Sequence, residues 1–188
     1  MAGYVLFISE NRLKEATAIN GNVDVDYLLP YVRVAQKKYI ETKLGTKLFE
    51  KLKTLISTGD INLPANADYK TLLDDYISDP LVHWGFFECI PFLRYKVQNG
   101  NIYAKTSENG EALSREDAQD LREEVRNTAE FYTDRLISWL CANNTKVPEY
   151  NENSGCDEVC PDTNSFYNGM NLETTLPTQG NKYRFNVN

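Results

Sequence analysis

The chain has 188 residues, 41% hydrophobic and 25% charged, with a formal net charge of −7, which is the composition of one globular domain with a real core. No run approaches the eighteen or so apolar residues that a membrane-spanning helix needs, and the acidic excess argues against a surface built to grip DNA phosphates. Four cysteines are too few for a disulfide scaffold in a chain of this size. The N-terminal stretch Met1 to Ile8 has no basic residue before its apolar run. It therefore reads as a strand or a packed terminal segment and not as a secretory signal. Asn22-Val23-Asp24 offers a cap for a helix from Val25 to Leu44, with Leu28, Leu29, Val32, Ala35, Tyr39, Ile40 and Leu44 at helical spacing. Pro30 fits that helix only within its first turn. Gly45 ends it, and Thr46 is placed to cap the next, striped by Leu48, Leu52, Leu55 and Ile56.

A polar loop over 57–67 leads to a helix that starts at Asp68 and runs through Leu72, Leu73, Tyr76 and Ile77. Ser78-Asp79-Pro80 is expected to stop it and cap another. The run Leu81 to Leu93 is apolar nearly all round, so it is expected to be buried on most faces, with a kink at Pro91. Residues 97–113 contain two turn dipeptides, Asn99-Gly100 and Asn109-Gly110, around Ile102 to Thr106, which reads as a strand in a small β-hairpin or an ordered loop. Ser114 with Asp117 three residues on is a capping-box pair. It opens the longest helix, in which Ala118, Leu121, Val125, Ala129, Tyr132, Leu136 and Leu140 recur at three- and four-residue steps. The spacing predicts about twenty-eight residues and about 40 Å, ending near Asn143.

The composition shifts after Tyr150. Residues 149–188 hold eight Asn, two Pro and three Gly and no helical period, which suits an extended arm ordered by binding. Its last stretch, Lys182 to Val187, alternates apolar Tyr183, Phe185 and Val187 with polar residues, the pattern of a short strand that adds to another chain. Those three residues, with Phe166 and Tyr167, are the candidate contacts to a neighbouring subunit. Charge is uneven as well. Residues 1–55 carry nine Lys/Arg against six Asp/Glu, and residues 111–150 five against nine.

Catalytic chemistry finds little support. His83 is the single histidine, set beside Trp84 in the apolar run, and it reads as a core histidine more readily than as a base. No nucleophile motif accompanies it. Cys156 and Cys160 have the spacing of half a zinc site, but the missing ligands would have to come from Cys89, Cys141 or His83. Cys89 and Cys141 read as small core residues, and Cys156 and Cys160 either pair or stay free. The doublets Asp74-Asp75, Glu116-Asp117 and Glu123-Glu124 point in different directions on their helices and form no acid/base pair. Glycines are scattered singly, so no phosphate loop is present. No enzyme activity, cofactor or metal is expected.

The block Tyr27-Leu28-Leu29-Pro30-Tyr31-Val32, Ala35-Gln36, Tyr39-Ile40, Leu44-Gly45, Leu48-Phe49 and Leu52 resembles the opening of head–tail connector (adaptor) proteins of tailed bacteriophages. The likeness is nearest to those of phages infecting Bacteroidetes, the crAss-like group among them. The aromatic middle run, the Glu108-Asn109-Gly110 turn and Val147-Pro148-Glu149-Tyr150 agree with it, so that the resemblance spans roughly residues 20–150. It implies a virion structural protein assembled in the host cytoplasm, a helical protomer in a ring expected to be dodecameric. Portal would lie on one face and a tail or second ring protein on the other, with DNA passing through the lumen without sequence-specific binding. A rival from another class is a small bacterial helical adaptor or regulator, dimeric, docking a partner through its C-terminal arm.

The expected architecture is thus mainly α. A bundle of about four to five helices (1–150) carries a hairpin or loop insertion near 97–113 and is followed by an extended arm (151–188). Fully stretched, that arm spans up to roughly 120 Å.

Overall fold

Helical periodicity carries through to the architecture: the chain is a mainly α helical bundle. The computed structural model describes residues 4–17, 19, 25–93, 95–98, 101–104, 114–152 and 158–163, with backbone alone for 25–27, 95–98, 101–104 and 115. In chain order the helical segments are α1 (Glu10–Ala16), α2 (Val25–Ala35), α3 (Glu41–Leu44), α4 (Thr46–Thr58), α5 (Ala67–Thr71), α6 (Ser78–Leu93) and α7 (Arg115–Ala142). A hairpin of β1 (Tyr95–Gln98) and β2 (Asn101–Ala104) separates the last two.

Wide turns, in which an N–H reaches five residues back instead of four, join several segments into longer helices. Residues Gln36–Ile40 form one between α2 and α3, with the Glu41 N–H donating to the Gln36 carbonyl. Leu72–Ile77 form another between α5 and α6, where the Ser78 N–H donates to the Leu73 carbonyl. The expected stop at Ser78-Asp79-Pro80 therefore does not occur. Ser78 is helical (φ −57°, ψ −49°), and the wide turn takes up the local mismatch while the helix continues. Pro30, likewise, lies inside α2 and beyond its first turn, on the exposed side of the helix.

Gly45 separates α3 from α4 with φ 76° and ψ 159°, a backbone region that essentially only glycine occupies. It takes the cap position that the sequence suggested for Thr46, and Thr46 becomes the first residue of α4. Gly59 closes α4 in the left-handed conformation, φ 82° and ψ −1°. Gly45→Ala is expected to cost about 1–3 kcal/mol. Gly59→Ala, whose added Cβ meets nothing within 4 Å, should cost only about 1 kcal/mol. Urea denaturation of the two variants checks the order; equal midpoints would remove the strain argument for Gly45.

The apolar run of α6 is buried as its composition requires, because α6 packs against both α2 and α7. Leu81, Val82, Trp84, Phe86, Cys89 and Ile90 all join the core. On α7 the expected capping box is present, Ser114 Oγ accepting from the Asp117 N–H at 3.0 Å and Asp117 Oδ2 accepting from the Ser114 N–H at 3.3 Å. Its buried stripe is Ala118, Val125, Ala129, Thr133, Leu136, Ile137 and Leu140. Leu121 is exposed and Tyr132 only half-buried, while Thr133 and Ile137 replace them on the inner face. Cys141 is exposed, not a core residue, because it sits a step of about 100° round the helix from Leu140.

The hairpin strand lies earlier than expected. Its register pairs Tyr95 with Ala104 and Gln98 with Asn101, so the strands flank Asn99-Gly100 and the second covers 101–104 instead of 102–106. Of the N-terminal segment, residues 4–8 are described, and they form no strand but pack through Phe7 and Ile8. Gln36, fully buried, accepts from the Phe7 N–H at 2.9 Å through Oε1 and donates through Nε2 to the Val5 carbonyl at 3.0 Å.

Candidate functional site

Three places in the described residues gather chemistry. The first centres on one carboxylate. Glu88 of α6 accepts from the Tyr39 hydroxyl at 2.6 Å and from Lys38 Nζ at 2.9 Å, both through Oε1. Burial opposes its charge, but the Tyr39 and Lys38 hydrogen bonds and the nearby Arg122 outweigh it, so Glu88 stays below the usual carboxylate range. Arg122, from α7, lies over the Phe87 ring with its guanidinium carbon 4.0 Å from the centroid. The hydrogen bonds tie α6 to the wide turn Gln36–Ile40.

The second place is His83. Its ring stacks on Tyr132 at 5.3 Å with 5° between planes, beside a 230 Å³ cavity lined by Ala16, Thr17, Phe86, Glu124, Val125 and Thr128. No cysteine or serine lines this cavity. Burial pushes the His83 pKa below its ordinary value, and the Asp79 carboxylate partly offsets this. The folded chain thus prefers neutral His83, whereas the unfolded chain protonates it near pH 6.5. Stability contributed by this preference is present above pH 6.5 and falls as the pH drops towards the lowered folded value. His83→Gln should flatten that part of the profile in melting curves between pH 7.5 and pH 5; parallel wild-type and variant curves would sink the assignment. The thiol of Cys89 is inert by the same physics, since burial pushes it up to about 12.

The third place was missed by sequence reasoning altogether. Residues 158–163, part of the expected free arm, strap back across the α3–α4 junction. Thr46 N–H donates to the Val159 carbonyl at 3.0 Å, Val159 N–H donates to Thr46 Oγ1 at 2.8 Å, and Asp162 N–H donates to the Thr42 carbonyl at 2.9 Å. Lys43 Nζ meets Asp162 Oδ2 at 2.9 Å, and Lys47 Nζ meets Glu158 Oε1 at 2.8 Å. The Lys43 side chain is 1% exposed. A buried lysine ahead of a glycine was the available signal, but its acid lies 119 residues away.

Of the predicted contact residues, Phe166, Tyr167, Tyr183, Phe185 and Val187 lie outside the described residues, as does Cys156. Cys160 carries a free thiol. Among the described residues no group of three or more His, Cys, Asp or Glu is placed to hold a metal ion. No helix among them is long and apolar enough to cross a membrane.

Two surfaces remain. A 910 Å³ open groove on the outer side of α2 is lined by Tyr4, Leu6, Leu29, Pro30 and Val34 together with Arg33, Lys37 and Lys38. The outer side of α7 carries exposed Leu121 and Phe131 among Glu123, Glu124, Glu130 and Asp134. The acids are crowded there. Burial, and then the charge of Glu130, push the Asp134 carboxyl above its usual range, with Lys43 partly offsetting them.

Comparison with known proteins adds one match. The chain belongs to a family of unknown function (DUF6712), whose family model matches residues 40–159, from the first wide turn to the middle of the strap. No curated protein and no solved structure matches the chain.

Proposed function

We propose that this DUF6712 protein is a virion structural protein, a head–tail connector subunit that forms a ring between portal and tail through which DNA passes. The observation that carries the reading is the connector-like block. Its Ala35-Gln36, Tyr39-Ile40, Leu44-Gly45 and Leu48-Phe49 pairs lie on consecutive helices that meet at Gly45, and all eight residues are buried. A helix followed by a second short helix is what the resemblance implies for this block. An acidic chain also suits passing DNA, since a basic lumen would hold the phosphates through counterion release. The subunit has no catalytic role in this reading. His83, Glu88 and Cys89 serve packing.

Electron microscopy of the purified chain, alone and mixed with a tailed-phage portal protein, tests the proposal. Rings in either sample are the expected result. A chain that remains monomeric or dimeric in both and does not bind portal overturns the reading, and a stable dimer that captures another host protein through residues 151–188 favours the adaptor alternative.

A further inference from the structure

The groove runs along α2 and the ridge along α7, two helices that both pack against α6. They are opposite in charge. The groove is concave, with Leu29, Pro30 and Val34 exposing apolar surface and Arg33, Lys37 and Lys38 contributing cations. Lys37 and Lys38 pair with Glu41 and Glu88 but keep side chains 47% and 57% exposed. Arg33 makes no ion pair among the described residues and lies over the Tyr4 ring at 4.2 Å. On α7, Phe131 is 64% exposed, and Glu124 and Thr128 of the same stripe border the cavity beside His83. Leu121, Glu124, Thr128 and Phe131 follow one another at three- and four-residue steps, and all four are exposed. Glu123 and Glu124 make no ion pair among the described residues. The one basic residue on this stripe, Arg135, leans away over the Tyr76 ring at 5.0 Å.

We propose that the α7 ridge of one copy seats in the α2 groove of a second copy, Phe131 entering among Leu29, Pro30 and Val34 while the ridge carboxylates meet Arg33 and Lys37. An exposed aromatic flanked by carboxylates without ion pairs among the described residues is complementary to a cationic apolar groove on the same acidic chain. The contact joins two different patches, so the pair keeps one groove and one ridge free for further copies. Such a head-to-tail contact propagates until it closes into a ring or extends as a filament. The inference rests on the ring reading and names the two surfaces that would build it.

The test uses the full chain and two single substitutions at exposed positions, Val34→Asp in the groove and Phe131→Asp on the ridge, with Leu63→Asp as an exposed control. Sedimentation velocity at low salt is expected to show wild-type and Leu63→Asp assemblies, and each of the other variants associating at least tenfold more weakly. Mixed together, the two defective variants should form a one-to-one dimer and nothing larger, since only one intact groove and one intact ridge remain. Circular dichroism melting establishes that each variant is folded; should Val34→Asp not fold, Arg33→Glu takes its place. Variants that assemble like the wild type, or a mixture that forms no dimer, overturn the contact while leaving a wild-type ring intact as a reading. Wild-type filaments that both substitutions abolish support the contact and count against the ring. A wild-type chain monomeric at every concentration overturns the contact, and the ring reading then rests on the portal mixture.

Discussion

Trp84→Ala is expected to destabilise the chain by about 3–5 kcal/mol, the cost of removing a large aromatic from a core that cannot close over the space. Trp84 is 2% exposed. Its ring stacks on Tyr39 at 3.9 Å with 7° between planes and meets Phe87 edge-on at 5.4 Å. The indole N–H donates to Thr133 Oγ1 at 2.9 Å, and that hydroxyl donates onward to the Ala129 carbonyl at 2.8 Å. One side chain thus ties the wide turn Gln36–Ile40, α6 and α7 together. The polar part separates from the packing part by substitution. Thr133→Val keeps the volume but removes the acceptor of a buried N–H, at about 1–3 kcal/mol. Trp84→Phe removes the donor along with part of the ring. The double variant should lose less than the sum of the two single losses, because the second change no longer breaks a bond. Urea denaturation reads all four chains, and strictly additive losses would show that the Trp84–Thr133 bond contributes nothing.

Ending the chain at Glu152 is expected to lower its melting temperature by about 5–10 °C relative to a chain ending at Thr163. The strap contributes three hydrogen bonds with backbone partners and two ion pairs at the α3–α4 junction. At about 0.5–1.5 kcal/mol for each hydrogen bond and less for the ion pair on exposed Lys47, offset by the entropy of ordering the segment, the net is on the order of 2–3 kcal/mol. Lys43 adds a further reason. Removing Asp162 withdraws a carboxylate from an ammonium whose side chain is buried. The comparison separates the strap from the arm beyond it: removing 164–188 should leave the melting temperature unchanged, and removing 153–163 as well should produce the drop. Equal melting temperatures for the two truncations would place the end of the core at Tyr150, where composition alone put it.

The errors of sequence reading share a cause. Leu121 and Tyr132 fit the three- and four-residue rhythm of α7 as well as Leu136 does, yet Thr133 and Ile137 took the inner face. Over 28 residues the buried stripe drifts round a straight helix, and the partner α6 decides where it runs. Pro30 and Pro80 signal local helix breaks, but wide turns and tertiary packing carried both helices on. Gln36 looked like a helical polar residue, and its burial depends on the backbone of Val5 and Phe7, some thirty positions away. The groove and ridge were invisible for the same reason, since each depends on which side of its helix α6 covers.

What the amino-acid sequence determined by itself is what local chemistry controls. This includes the mainly helical class, the capping box that starts α7, the glycine that ends α3, the burial of the apolar α6, and a hairpin or ordered loop near 97–113. The caps and turns act on backbone within four residues, and the class and the burial follow from the spacing of apolar side chains. Only the tertiary structure decided which faces are inner, that α2 carries a cationic groove and α7 an acidic stripe, and that residues 158–163 return to the core. Those outcomes depend on pairs such as Lys43–Asp162 and Trp84–Thr133, far apart in the chain and near in space. No periodicity records such a pair, because nothing in either residue's own neighbourhood specifies the partner.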